Sequence, residues 1–192
     1  PLLGYAAPKQ PGVWENHLDT RLVPMLADHV VGHATVFPGT GFVELALAAA
    51  FAHNGGAFAE IEDIDIRAPL LLSDDETKVV QTRIDDSDGA VSVHALTLGS
   101  DDPYALHAVG RIMAEPRGVG LADTAIKWPS RAPDFTGADH AALTAHVGLS
   151  YGPAFRAIAD GWRESDRVVL ARFKPDACIA EELPQTHIHP AL

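Results

Sequence analysis

Cysteine is almost missing from this chain. Its 192 residues include one, Cys178, so no internal disulfide can form, and a reducing compartment, by default the cytoplasm, is implied. Long apolar runs are missing too. The longest, Phe42 to Ala52, is interrupted by Glu44 and falls short of the roughly 18 residues expected of a membrane-spanning helix. The opening Pro1-Leu2-Leu3-Gly4-Tyr5 lacks the basic flank and small-residue cleavage site of a signal peptide, and it reads as a chain cut from something longer. Positive charge is scarce. Fourteen Lys and Arg stand against 26 Asp and Glu, a formal net charge of −12, and a surface that acidic repels phosphate backbones and argues against nucleic acid as a partner.

What remains is enough for one large domain or two small ones with a real core. Most of the regular signal lies in 11–114. Trp14 to Leu22 reads as a strand, Asp28 to Gly41 as a loop rich in Gly, His and Pro, and Thr40 to His53 as a helix. Thr40 is the expected cap of that helix, Glu44 suits the positive end of its dipole, and Asn54-Gly55-Gly56 stops it. Ala46, Ala48, Ala49, Ala50 and Ala52 make it a helix that neighbouring backbone can approach closely.

Four strand-like runs follow, Ala59–Leu72, Thr77–Ile84, Ala90–Leu98 and Tyr104–Met113, separated by turn-forming residues. In the last, Tyr104, Leu106, Ala108, Gly110 and Ile112 alternate as one apolar face. A long helix followed by an antiparallel meander predicts an α+β fold with the sheet curled around the helix. Residues 115–138, with Pro116, Gly118, Gly120, Pro129, Pro133 and Gly137, read as a linker. Asp139–Val147 is expected as a short helix, and Ala159–Glu164 and Arg167–Phe173 as strands. This second part, 139–192, has too little apolar surface to close a core alone.

The segment most suggestive of chemistry is Asp28-His29-Val30-Val31-Gly32-His33, which leads into Pro38-Gly39 and a helix start. Eliminating water from a 3-hydroxyacyl thioester needs a base for the α-proton and a donor for the enolate oxygen. A loop histidine has a suitable pKa for the first task, and free N–H groups at a helix start, from Gly39 or its neighbours, suit the second.

The chain resembles the dehydratase domains of polyketide synthases. Their pattern H-x-x-x-G-x-x-x-x-P is met by His29 and Pro38, and Pro38-Gly39-Thr40-Gly41-Phe42-Val43-Glu44-Leu45-Ala46 is similar to the helix start that follows in that family. Tyr151-Gly152-Pro153-Ala154-Phe155 matches Y-G-P-x-F with Gly148 ahead of it, and His189-Pro190-Ala191-Leu192 resembles the lead-in to the second catalytic segment.

The resemblance implies a double hot-dog fold with its second half incomplete: a first unit at 1–114, a linker at 115–138 and the start of a second unit at 139–192. It implies dehydration of 3-hydroxyacyl chains carried on the phosphopantetheine of an acyl carrier protein. His29 would be the base, Pro38, Gly39, Tyr151, Gly152 and Pro153 the substrate-binding residues, and an aspartate expected beyond Leu192 the acid. No metal or redox cofactor is expected, since neither step changes oxidation state. Acyl carrier protein and other synthase domains are the implied partners, and a homodimer is an expectation from the parent synthases. An acidic carrier would be repelled by this acidic chain unless a basic patch or a covalent tether offsets the charge. The sequence departs from the family pattern at His33, which stands where the family keeps glycine.

Other readings are weaker. Gly148-Leu149-Ser150-Tyr151-Gly152 spells a hydrolase nucleophile elbow, but the strand-then-helix context that motif needs is lacking. His29 with His33, and His187 with His189, have metal-ligand spacing without an obvious third ligand. Cys178 has no motif around it, and Trp14, Trp128 and Trp162 read as packing. A non-catalytic structural or carrier-docking module, or a dehydratase that also cyclises or isomerises, are the functional alternatives.

Overall fold

The computed structural model describes residues 2–116 and 127–192. Strands β1 (Tyr5–Ala6) and β2 (Val13–Leu18) lead into a hairpin, β3 (His29–Val31) and β4 (Ala34–Val36), and then helix α1 (Gly39–His53). The meander follows as β5 (Ile61–Ile66), β6 (Leu71–Leu72), β7 (Lys78–Ile84), β8 (Ala90–Thr97) and β9 (Ala105–Ile112). The later part holds β10 (Phe135–Thr136), α2 (Gly137–His146), β11 (Leu149–Tyr151), β12 (Ile158–Ser165) and β13 (Val168–Phe173). Among the described residues no helix is long and apolar enough to cross a membrane.

The main sheet is antiparallel in the order β1-β2-β7-β8-β9-β5, and α1 packs on β5, β7, β8 and β9. The alanines permit this embrace: Ala46, Ala49 and Ala50 are buried against Ile84, Val91 and Ile112, so helix and sheet meet without long side chains between them. This is the hot-dog arrangement expected from the resemblance. Two smaller sheets complete the fold, β11-β3-β4-β6 and β10-β12-β13. A single core cluster draws Ala154, Ile179 and Ala191 of the later part in beside Phe37, Phe42 and Leu45 of the first. The later part thus shares the first part's core, as its scarcity of apolar residues predicts.

Several local expectations change. Residues 28–41 are not a plain loop but contain the β3–β4 hairpin, whose pairing with other strands satisfies backbone groups that the polar composition disguised. The N-cap of α1 is Pro38 rather than Thr40, and the first turn holds no acidic residue; Glu44 lies deeper, at 2% exposure. The apolar alternation of β9 is broken by a bulge. Val93 pairs with Ala108 but His94 with Leu106, so His107 is skipped and buried while Leu106 is left 40% exposed. The segment read as Ala59–Leu72 splits, its end joining the other sheet as β6. Of the expected linker, 117–126 lies outside the described residues. Phe135–Thr136 is strand, pairing with Asp160 and Gly161, and α2 already begins at Gly137 behind a capping box of Thr136 and Asp139.

At the end of β2, Asp19 is 1% exposed and ties the chain to the start of β7. Its carboxylate accepts the Thr77 hydroxyl at 2.6 Å and the amides of Arg21 and Leu22 at 2.8 Å each. The Thr77 hydroxyl first, then the backbone donors, hold its pKa at about 2, below the ordinary 3.8. Because the folded state binds this proton less readily than the unfolded chain, the stabilisation is present above pH 3.8 and is lost as pH falls towards about 2. Urea midpoints measured across that window should fall steeply for the native chain and less steeply for Asp19→Asn.

Candidate active site

His29 opens β3, and its position is set by the hairpin. Gly32 takes the positive φ of 63° that the tight turn after Val31 requires, a conformation open to glycine and strained for most residues. His33 follows it as an exposed residue at the turn, away from the cleft described below. The sequence therefore keeps a glycine for the turn one position earlier than the family pattern, and the histidine side chain projects outward.

The His29 Nδ1 lies 2.7 Å from the Val36 carbonyl oxygen, across the hairpin. A carbonyl can only accept, so Nδ1 carries a proton, and Nε2 is the nitrogen left to accept one. Among the described residues no protein group hydrogen-bonds Nε2. The ring stacks on Tyr151, with centroids 5.4 Å apart and planes at 21°, and meets Phe155 at 5.0 Å. Half-buried between two aromatic rings and anchored at one nitrogen, the imidazole is held in one orientation.

Tyr151 reaches His29 because β11 pairs antiparallel with β3, Tyr151 opposite His29 and Leu149 opposite Val31. This brings together two motifs more than a hundred positions apart in sequence. Asp28 locks the junction. Its carbonyl accepts the Gly152 amide at 2.8 Å, and its carboxylate accepts the Ala154 amide at 2.9 Å. Glycine is required at 152 by space: a Cβ there would sit 2.0 Å from the Asp28 carboxylate oxygen. Arg156 reinforces the loop by donating from Nε to the Tyr151 carbonyl at 2.6 Å.

A cleft of about 540 Å³ opens beside His29. Its walls include Pro38, Gly39, Tyr151, Phe155 and Pro190. A smaller cavity of about 340 Å³, bordered by Ile66 and Arg67, also reaches His29 and Gly39. Gly39 and Thr40 are the first residues of α1, and their N–H groups have no partner within the helix, which leaves donors and the positive dipole end at the cleft. Of the residues expected at the site, His29, Pro38, Gly39 and Tyr151 line the cleft together. Gly152 and Pro153 lie in the turn just behind it and are not among its lining residues.

No sequence motif marks His140 and Thr144 as lining residues, whereas Phe155 and Ala191 stand in the matched motifs without a role of their own being expected. Asp28 was equally hard to single out, although its place directly before the histidine was a usable signal. Ser150 sits inside β11, and a further strand residue and then a short 3-10 turn at Pro153–Phe155 follow it, which is not the strand-to-helix bend of a nucleophile elbow. Cys178 is exposed and does not line the cleft, and the hydrogen bond with the nearby Asp176 carboxylate pushes its thiol pKa up, away from the thiolate.

A helix wrapped by an antiparallel sheet, with a histidine and a helix N-terminus lining one cleft, defines a hot-dog protein. The chain belongs to the dehydratase family of polyketide synthases: residues 1–97 match the polyketide synthase dehydratase domain, and residues 127–192 match the polyketide synthase dehydratase N-terminal domain. It is 33% identical over its whole length to the spectinabilin polyketide synthase system protein NorA of Streptomyces orinoci, spanning 10% of that protein. It is 36% identical over 74% of its length to the mycoketide-CoA synthase of Mycobacterium tuberculosis, spanning 3% of it.

Among solved structures, the dehydratase domain from the terminal module of the rifamycin polyketide synthase matches with a TM-score of 0.77 at 32% identity, over 94% of this chain and 66% of that one. A dehydratase structure concerned with substrate selection in the borrelidin and fluvirucin polyketide synthases matches with a TM-score of 0.78 at 33% identity, over 97% and 66%. The chain thus spans about two-thirds of these dehydratase chains and a tenth or less of the curated relatives, which are large multidomain synthases.

The Asp28–Gly152 junction gives a direct test. Gly152→Ala should destabilise the protein by roughly 1–3 kcal/mol, because the new methyl displaces a hydrogen-bonded carboxylate. In an Asp28→Ala background the same change should cost less, since the obstructing group is gone. A double-mutant cycle by urea denaturation measures the coupling, and additive effects would contradict the contact.

Proposed function

We propose that this chain forms the base-bearing part of a dehydratase that converts 3-hydroxyacyl chains, held as thioesters on the phosphopantetheine of an acyl carrier protein, to 2-enoyl chains. The observation that carries the reading is the His29 Nδ1 contact with the Val36 carbonyl at 2.7 Å, which leaves Nε2 as the ring nitrogen available to take a proton, beside a cleft that the α1 N-terminus also lines. His29 Nε2 takes the α-proton, and the C–H electron pair moves towards the thioester carbonyl. The developing oxyanion is met by the N–H of Gly39 at the helix start, where the helix dipole favours negative charge. The pair then forms the α,β double bond as the Cβ–O bond breaks, and the hydroxyl leaves as water with a proton from an acid. That acid is the aspartate which the resemblance puts beyond Leu192.

Pro38 and Tyr151 contact the acyl thioester in this reading, while Gly152 and Pro153 shape the turn that presents Tyr151. The reaction is of the hydro-lyase type and leaves oxidation states unchanged, so it calls for no resident metal or redox cofactor. Acyl carrier protein and neighbouring synthase domains are the partners, in a cytoplasmic and dimeric assembly, and a covalent tether would overcome repulsion between acidic surfaces.

With a 3-hydroxyacyl pantetheine thioester and the full-length protein, His29→Ala should lower dehydration roughly 10²–10⁴-fold, the usual worth of a positioned base. Mass spectrometry of the acyl product follows the loss of water, and circular dichroism checks that the fold survives. Exchange of the α-proton with deuterated solvent should vanish in the same variant. Retention of either activity would remove His29 from the role of base.

A further inference from the structure

Helix α1 carries one carboxylate into the interior. Glu44 is 2% exposed, and its Oε2 accepts the backbone amides of both His187 and Ile188, at 2.8 Å each. Burying a carboxylate is costly unless its lone pairs are satisfied, and here two peptide N–H groups on consecutive residues meet one oxygen. Two donors converging on a single point fix both the place and the direction of the segment that bears them. One turn earlier on the same helix face, the Thr40 hydroxyl donates to the Pro190 carbonyl. The ring of His187 also packs edge-on against Phe51 of α1, with centroids 5.1 Å apart. The helix therefore grips residues 187–190 from one face, across about 150 positions of sequence.

This grip has a consequence for the cleft. Pro190, Ala191 and Leu192, which emerge from the gripped segment, line the same cleft as His29, and so do Pro38, Gly39 and Thr40 at the start of α1. Glu44 itself is not among the lining residues. Within the segment, His189 is 2% exposed, and its Nδ1 accepts the Ala191 amide at 3.2 Å, so the chain after the grip is also folded back on itself.

We propose that Glu44 is a positioning residue for dehydration: by holding the amides of His187 and Ile188 it fixes the 190–192 wall of the cleft relative to His29, and so sets where the substrate lies against the base. The inference rests on the dehydratase reading of the site. An apolar residue would fill the same space in α1 but would release the wall. Glutamine would retain the accepting oxygen.

The test compares Glu44→Leu and Glu44→Gln in the full-length protein. Hydrogen exchange at the amides of His187 and Ile188 should be slow in the native protein and in Glu44→Gln. In Glu44→Leu it should quicken roughly tenfold or more, while amides in the middle of β7 and β8 stay protected. In turnover assays Glu44→Leu should lose roughly 10–100-fold in kcat, the scale expected when reacting groups are misplaced by about 1 Å. KM should change little, the His29-dependent limb of the pH profile should not move, and Glu44→Gln should restore most of the rate. Should Glu44→Leu fail to fold, Thr40→Val, which releases the Pro190 end, gives the second reading of exchange and kcat. Unchanged exchange in Glu44→Leu, or quickened exchange with an undiminished kcat, overturns the proposal. A native protein that shows the exchange pattern but dehydrates nothing overturns the dehydratase reading instead, and the catalytic role of Glu44 with it.

Discussion

The site depends on one short strand pairing. Three residues of β11 lie against three of β3, and that register puts Tyr151 across from His29. Without it the histidine would keep its hairpin and its Val36 contact, but it would not be set against Tyr151, and the later part of the chain would lose one of its attachments to the first. So few ladder bonds are weak by themselves. They are backed by the Asp28 carboxylate and carbonyl on the adjoining turn, and by a core cluster to which both parts contribute. Strand pairing sets the register, and the buried apolar surface supplies most of the stabilisation.

Helix α1 is the second organising element. Its alanines let the sheet close around it, and its first turn supplies donors to the cleft. Its interior face holds Glu44 and Thr40 towards residues 187–190. A single rigid rod thus touches both walls of the site. Helix ends and the residues one turn inside them move together, which suits a site whose groups must keep fixed separations.

How much of this was legible in the sequence varied with the range of the interaction. The α1 boundaries, the β7 and β8 strands and the antiparallel meander follow from local pattern, because burial on one face imposes a period that one sequence displays. The β3–β4 hairpin was hidden because its composition is that of a loop, and its strands are stabilised by β11 and β6 rather than by their own propensities. The role of Glu44 is hidden in the sequence for a related reason. Position near a helix start suggested a dipole interaction, while its true partners are amides 143 and 144 residues away. The β9 alternation failed at a bulge, where one extra residue reverses the faces without changing the composition.

The motifs around His29, Pro38-Gly39 and Tyr151-Gly152-Pro153 were sufficient to suggest family, fold class and the residue types at the site, since those depend on which side chains are present and on their spacing. The sequence by itself also determined the helix, the strands with regular alternation and the absence of an internal disulfide. Only the tertiary structure decided that His29 is protonated at Nδ1, that Tyr151 rather than Gly152 or Pro153 reaches the cleft, and that a buried glutamate holds the far wall. Each of these rests on contacts between residues distant in sequence. Local pattern reports only which face of an element is buried, and the partner that meets it is chosen when the whole chain packs.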